Sequence, residues 1–248
     1  MSGARYIYGR HPVSEALRAR PREVQRLLVA AGRGDRLGDV LRMAERHGIP
    51  VANVTRGALE ELVGDVPHQG IVAAVVAFAY ADEDDMVKRA MERDEVPLIV
   101  ALDQVQDPHN LGSLVRSAFA LGAHGLIVPK DNSCEVTPTV VKSSAGATAH
   151  LPIARVTNLR RALEGLKSTG LWVVGAAAGE GQEPWEVDFT APTVLVIGSE
   201  GWGLRRLVGE TCDVLVRIPM QGELGSLNAS VAGGVLLYEA CRQRLAKR

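Results

Sequence analysis

Small and polar residues gather at three places in this sequence where apolar runs stop, and each could do chemistry. The first is residues 218–230, I-P-M-Q-G-E-L-G-S-L-N-A-S, directly after the largely apolar run 214–218. Pro219, Gly222 and Gly225 make it a turn-rich loop, and Ser226, Asn228 and Ser230 lead into an apolar helix. A loop of this kind, between a buried strand and a helix N-terminus, offers backbone N–H groups to a closely approaching ligand. An ordinary strand-to-helix turn, with Asn228 or Ser230 as N-cap, is the plainer reading. The second stretch, residues 102–118, carries Asp103, Asp107, Asn110, Gly112 and Arg116. Asp107 or Asn110 can cap the helix that starts there. Asn110 falls just past the carboxyl end of a strand, where open α/β sheets bind ligands. Arg116 lies about a turn and a half further along, where a surface ion-pair partner is the other reading. The third stretch, residues 194–204, places Glu200 between Gly198 and Gly201-Trp202-Gly203 at the end of another apolar run. A carboxylate there is costly unless it is paired or wet. Gly198 and Gly225 read as positions where backbone passes close to a ligand, so that a side chain would act by exclusion.

Several chemistries are excluded by the same residues. G-x-G-x-x-G is absent, because Gly201 and Gly203 are followed by Arg206 at the third position, and there is no G-x-x-x-x-G-K-[S/T]. No Ser/His/Asp set has nucleophile-elbow spacing. The six histidines are scattered, and Cys134, Cys212 and Cys241 form no C-x-x-C pair. The cysteine pattern predicts a reducing compartment, no disulfide framework and no metal site. No apolar run reaches membrane-spanning length and residues 1–10 have no apolar signal core, which predicts a cytoplasmic protein with no membrane partner.

The elements that must position these residues follow from periodicity. With 248 residues, 46% of them hydrophobic, the chain can bury one large core or two small ones. Residues 1–78 predict a small α/β unit. It has strands at 6–8, 24–30, 49–51 and 71–78, a helix opening at Pro12, a helix over 36–47 ended by Gly48, and a short helix capped by Thr55. This part holds eleven arginines, no lysine and eight acids, a modest basic surplus that suits phosphate. Residues 79–97 are acidic and weakly periodic and read as a linker, with room for one or two helical turns from Met86 to Arg93 before Pro97. From residue 98 strands and helices alternate: strands at 98–102, 125–128, 151–156, 171–176, 194–197 and 214–218, helices at 111–121, from Thr137-Pro138, at 158–169, 203–210 and 229–245. Buried strands interleaved with helices predict a parallel sheet covered on both faces.

Taken together the three stretches resemble the SpoU (TrmH) branch of the SPOUT RNA methyltransferases. D-x-V-x-D-P-x-N-x-G-x-x-x-R-x-A is matched from Asp103 to Ala118, I-G-S-E-G-x-G-L from Ile197 to Leu204, and I-P-M-x-G-x-x-x-S-L-N-x-S from Ile218 to Ser230. The likeness spans residues 98–248 in order, with Ala229 where that family usually has Val. Residues 8–17, Y-G-R-H-P-V-S-E-A-L, and 68–73, H-Q-G-I-V-A, are similar to the small ribosomal-protein-like substrate-binding domain of such enzymes.

The resemblance implies three parts: an RNA-binding domain at 1–78, an acidic linker at 79–97 and a SPOUT methyltransferase domain with a trefoil knot at 98–248. It implies S-adenosylmethionine as cofactor, with Gly198, Gly201, Ile218, Met220 and Leu227 around adenine and ribose, largely through backbone groups. It implies that Arg116 contacts the ribose 2′-OH and the neighbouring phosphate, with Asn110, Glu200, Ser226 and Asn228 fixing Arg116 and the nucleotide. It further implies a homodimer through the first and last helices of that domain. The reaction implied is 2′-O-methylation of large-subunit ribosomal RNA, at a guanosine in the 23S rRNA P-loop of the peptidyl transferase centre. The alternatives are another RNA site or a tRNA, and a non-catalytic RNA-binding protein, which would not need Asn110, Arg116 and Glu200 together.

Overall fold

The computed structural model describes residues 5–32, 37–75, 78–222 and 225–247. Arg36 of the predicted second helix, residues 76 and 77 of the strand predicted to reach Phe78, and residues 223 and 224 of the Gly-rich loop lie outside them. The described residues up to Ala79 form one compact unit together with Val136–His150, and Tyr80–Glu135 form a second with the residues from Leu151 onward.

The first unit contains β1 (Arg5–Tyr8), α1 (Arg10–Ala19), β2 (Val24–Ala30), α2 (Gly38–Arg46), β3 (Val51–Val54), α3 (Arg56–Val63) and β4 (Ile71–Val75). Its sheet runs β1-β4-β2-β3, antiparallel except for the β2–β3 pair. Val13 and Leu17, one turn apart on α1, are fully buried against Val40 and Ala44 of α2, the spacing of a helix with one apolar stripe. α1 starts two residues before Pro12 because Gly9, at φ 92°, makes the turn. Thr55 caps α3 as expected, its hydroxyl accepting the Ala58 N–H.

The second stretch of chain carries α4 (Glu83–Glu92), β5 (Leu98–Leu102), α5 (Pro108–Ala120), β6 (Gly125–Pro129), α6 (Pro138–Ser143), β7 (Ile153–Val156), α7 (Leu159–Ser168), β8 (Trp172–Ala176), β9 (Thr193–Ile197), α8 (Arg206–Gly209), β10 (Val214–Val216) and α9 (Ala229–Ala246). Six strands form one parallel sheet in the order β10-β8-β9-β5-β6-β7. Every residue of β5, β6 and β9 is buried, as expected of strands covered on both faces.

Three features depart from the sequence reading. Residues 79–97 are more than a connection, since α4 places Met86 and Ala90 fully buried in the second unit. Residues 136–150, expected within the C-terminal domain, pack in the first unit: Arg20 Nε donates to Ala149 O at 3.0 Å, and His150 Nε2 lies 2.9 Å from Glu15 Oε2. The helix expected from Gly203 begins only at Arg206, because Gly203 is held in a turn at φ 66°.

The amino-terminal end of the sheet is closed by a buried histidine and a half-buried arginine. Arg244 of α9 donates to the carbonyls of Phe189 at 2.9 Å, Pro97 at 2.9 Å and Ala191 at 3.1 Å, and its burial lowers its pKa to about 10. His124 Nδ1 accepts the Leu98 N–H at 3.1 Å while Nε2 faces Glu95, and burial lowers the imidazole pKa despite that carboxylate.

Candidate active site

The opposite end of the sheet carries the functional candidates. β5 and β9 pair in register with Leu102 opposite Ile197, so the chain leaves both strands side by side at Asp103 and Gly198. Of the two possible caps for α5, Asp107 takes the role, its Oδ2 accepting the Asn110 N–H at 3.0 Å with Pro108 in the first turn. The Asn110 side chain is thereby released for other partners. Its Oδ1 accepts from Asn228 Nδ2 at 3.0 Å, and its Nδ2 reaches Glu200 Oε2 at 3.5 Å, the long edge of hydrogen bonding.

Asn228 sits at the centre of this network. Its Nδ2 also donates to Glu200 Oε2 at 2.8 Å, while its Oδ1 accepts the Ser230 N–H at 2.9 Å and the Ser230 hydroxyl at 2.7 Å. Both N–H donors and both lone pairs of the amide are in use. The residue is the N-cap of α9 and a member of the polar cluster at once. Glu200, which the sequence reading required to be paired or near water, is exposed and receives amide donors from the first turn of α5 and the N-cap of α9.

Beside the cluster, the loop after β9 folds back on itself. Ser199 and Gly203 exchange backbone hydrogen bonds of 3.1 and 3.0 Å, and Gly201 and Gly203 have φ of 88° and 66°. Gly198 is buried under that turn. A Cβ there would overlap the Gly203 carbonyl and come within 2.6 Å of Leu204 N. The close approach at Gly198 is thus to the chain's own backbone. At Gly225 a Cβ would meet nothing within 4 Å, so no other part of the described chain fills the space that the close-approach reading assigns to a ligand.

Gly198, Gly201, Ile218, Met220 and Leu227 line one cavity of about 410 Å³ at the carboxyl ends of β8, β9 and β10. Ser226, grouped from the sequence with the nucleotide side, is on the wall of this cavity. Sequence reasoning missed the wall formed by Ala176–Gly179, for which the only signal was its place after a strand end, and Trp202, which is 91% exposed at the rim. Arg116 is not drawn into the cluster. It is exposed on α5, about 9 Å of helix rise beyond Asn110, and makes no hydrogen bond or ion pair among the described residues. Among those residues no helix is long and apolar enough to cross a membrane, and no group of three or more His, Cys, Asp or Glu side chains could hold a metal ion.

Residues 97–238 match the model of the SpoU rRNA Methylase family. The chain belongs to that family. Residues 6–81 match a second model, RNA 2'-O ribose methyltransferase substrate binding, so the likeness of this SpoU member extends to its first unit. The 23S rRNA (guanosine-2'-O-)-methyltransferase RlmB of Pseudomonas putida is 46% identical over 250 residues, covering 100% of both chains. Among solved structures, the SpoU methyltransferase AviRb from Streptomyces viridochromogenes in complex with AdoMet is 33% identical with a TM-score of 0.80, over 97% of this chain and 90% of that one. An AdoMet-bound rRNA methyltransferase from Sinorhizobium meliloti is 26% identical with a TM-score of 0.78, over 96% of this chain and 87% of that one.

Proposed function

We propose that this SpoU member transfers a methyl group from S-adenosylmethionine to the ribose 2′-oxygen of a guanosine in large-subunit ribosomal RNA. The observation that carries the reading is the Asn110–Glu200–Asn228 network standing at the edge of the Gly-rich cavity. The cavity suits the cofactor: its volume falls within the range of about 300–1,000 Å³ common for small-molecule sites. Ile218, Met220 and Leu227 offer apolar contact for an adenine, and the turn at Gly201 and Gly203 brings backbone to the cavity wall. When bound, S-adenosylmethionine supplies an electrophilic methyl on a cationic sulfonium.

The residues of the chain orient the acceptor. Arg116 donates its planar N–H fork to the 2′-oxygen and stabilises the alkoxide as it develops. Its side chain has no hydrogen-bond or ion-pair partner among the described residues, so the donor fork faces substrate. Glu200, Asn110 and Asn228 hold the nucleotide in line with the methyl, and Ser226 adds a hydroxyl from the cavity side. The reading includes the trefoil knot of the family resemblance, which accords with loops 198–205 and 217–228 both walling one cavity. It also includes a homodimer. Phe119 of α5 and Val231, Val235 and Tyr238 of α9 are exposed apolar residues on two helices packed against each other, as a dimer face requires.

The test combines two measurements. Methylation mapping of ribosomal RNA from a deletion strain should show one guanosine losing its 2′-O-methyl group; loss at a tRNA site instead would overturn the substrate assignment. Arg116→Ala and Arg116→Lys should both abolish single-turnover methylation while leaving cofactor affinity within about twofold, since an ammonium lacks the planar donor fork. Near wild-type turnover in the lysine variant would overturn the role given to Arg116. Sedimentation of the full chain should give the mass of two copies.

A further inference from the structure

Asp103 opens the first of the three polar stretches and takes no part in the polar network. Its side chain is wholly inaccessible to solvent. A buried carboxylate is expensive unless its oxygens are bonded, and both are: Oδ2 accepts the backbone N–H of Arg205 at 2.7 Å, and Oδ1 accepts Arg205 Nε at 2.7 Å. The backbone N–H of Asp103 donates in turn to Ile197 O at 2.8 Å. Ile197 is the last residue of β9, and Arg205 is the first residue beyond the turn that holds Gly198, Glu200, Gly201 and Gly203. One residue of a neighbouring strand therefore grips the segment 198–204 at both of its ends.

We propose that Asp103 is the positioning residue of the cofactor loop: with Arg205 it closes the 198–204 segment into a preformed wall of the cavity and sets Glu200 against Asn110 and Asn228. This rests on the reading of the cavity as the S-adenosylmethionine site. A buried ion pair contributes little net stability compared with well-packed apolar groups, so the pair is better explained by the geometry it imposes. Arg205 itself lines the cavity, and its side chain is 44% exposed, so the grip extends from a fully dry carboxylate to the edge of the site. Because Asp103 also begins the segment that leads to Asn110 and α5, it ties the cofactor wall to the nucleotide side.

The test uses the full chain as Asp103→Asn, Arg205→Ala and Arg205→Lys. An asparagine can satisfy only one of the two Arg205 donors and presents its own N–H₂ to the other. Amide hydrogen exchange within residues 198–204 of the cofactor-free Asp103→Asn protein should quicken at least tenfold, and S-adenosylmethionine affinity should fall at least tenfold. Arg205→Ala, altering a half-exposed side chain, should do the same without disturbing the core, and keeps the test decisive if the Asp103 variant folds poorly. Arg205→Lys, retaining a charge beside the carboxylate, should recover part of the loss. Unchanged exchange and unchanged affinity in Asp103→Asn and Arg205→Ala, with at most a lower melting temperature, would make the pair merely structural and overturn the proposal. If the wild type itself failed to bind S-adenosylmethionine, the function proposed for the cavity would fall, whereas the exchange comparison would still decide whether Asp103 holds the loop.

Discussion

Two loops wall the same cavity and are built in opposite ways. Segment 198–205 is locked: Ser199 and Gly203 are hydrogen-bonded to each other, Gly198 has backbone where a Cβ would go, and Asp103 holds the far end. The described residues of loop 217–228 are tied only where it begins, by Arg217 N–H to Gln182 O at 2.9 Å, and where it closes, by Asn228. Between these, Gly222 and Gly225 have open space around them, and Met220 and Ser226 are exposed. The contrast teaches that glycine-rich composition has two uses here. In the first loop glycine permits backbone to touch backbone; in the second it leaves room for an incoming ligand.

The contrast can be broken most directly at Gly198. Gly198→Ala must push Gly203 aside, so cofactor affinity should fall by more than about a hundredfold, a loss above ~2.7 kcal/mol. Titration calorimetry reads the result, and affinity within threefold of wild type would show the first loop to be no more rigid than the second. Asn228→Asp comes next, because it changes the tie of the second loop while keeping a good N-cap. It removes both N–H donors and sets a second carboxylate beside Glu200, so single-turnover methylation should drop about a hundredfold with little change in melting temperature. Retained turnover would remove the network from the mechanism.

Gly225→Ala should be close to silent. With nothing within 4 Å of the new methyl and no positive φ to strain, cofactor affinity should stay within about twofold. A tenfold loss would mean that the open loop shuts tightly over the ligand, and would sharpen the contrast into one between a fixed wall and a closing one. The smallest effect belongs to the far end of the sheet, which serves as control for both loops. Burial lowers the His124 pKa, so below about 6.5 the unfolded chain takes up a proton that the folded one resists, and stability falls as pH drops through that value. His124→Asn should flatten this pH dependence of the melting temperature without altering cofactor affinity at neutral pH. An unchanged slope would place the acid sensitivity elsewhere.

Most strands of the second unit were legible because runs such as 98–102 and 194–197 are apolar throughout and bounded by Gly, Pro or Asp. The site residues were legible as motif members, and six of them do share one cavity. What sequence could not decide was which of two competing groups takes a shared job. Asp107 rather than Asn110 caps α5, and only that choice lets Asn110 meet Glu200 and Asn228. Of α4 only one or two turns from Met86 were legible, because its buried stripe within 83–92 is just Met86 and Ala90 and its first turn lies in the acidic run. Residues 136–150 gave no sign of leaving their chain neighbours, because periodicity reports the face a helix buries and not the sheet it is buried against. At Gly225 the sequence shows only that a side chain is absent, and the structure adds that no other part of the described chain takes its place.

Asn228 has a consequence for how this sequence can drift. Serine, threonine and aspartate would all cap α9, but none carries the two N–H donors that bind Asn110 and Glu200. Glutamine carries them one methylene too far out. The position therefore has no neutral neighbour in sequence space while the site is under selection. In a duplicated copy that no longer needed the site, the helix cap alone would remain to be satisfied, and three other residue types would become acceptable there.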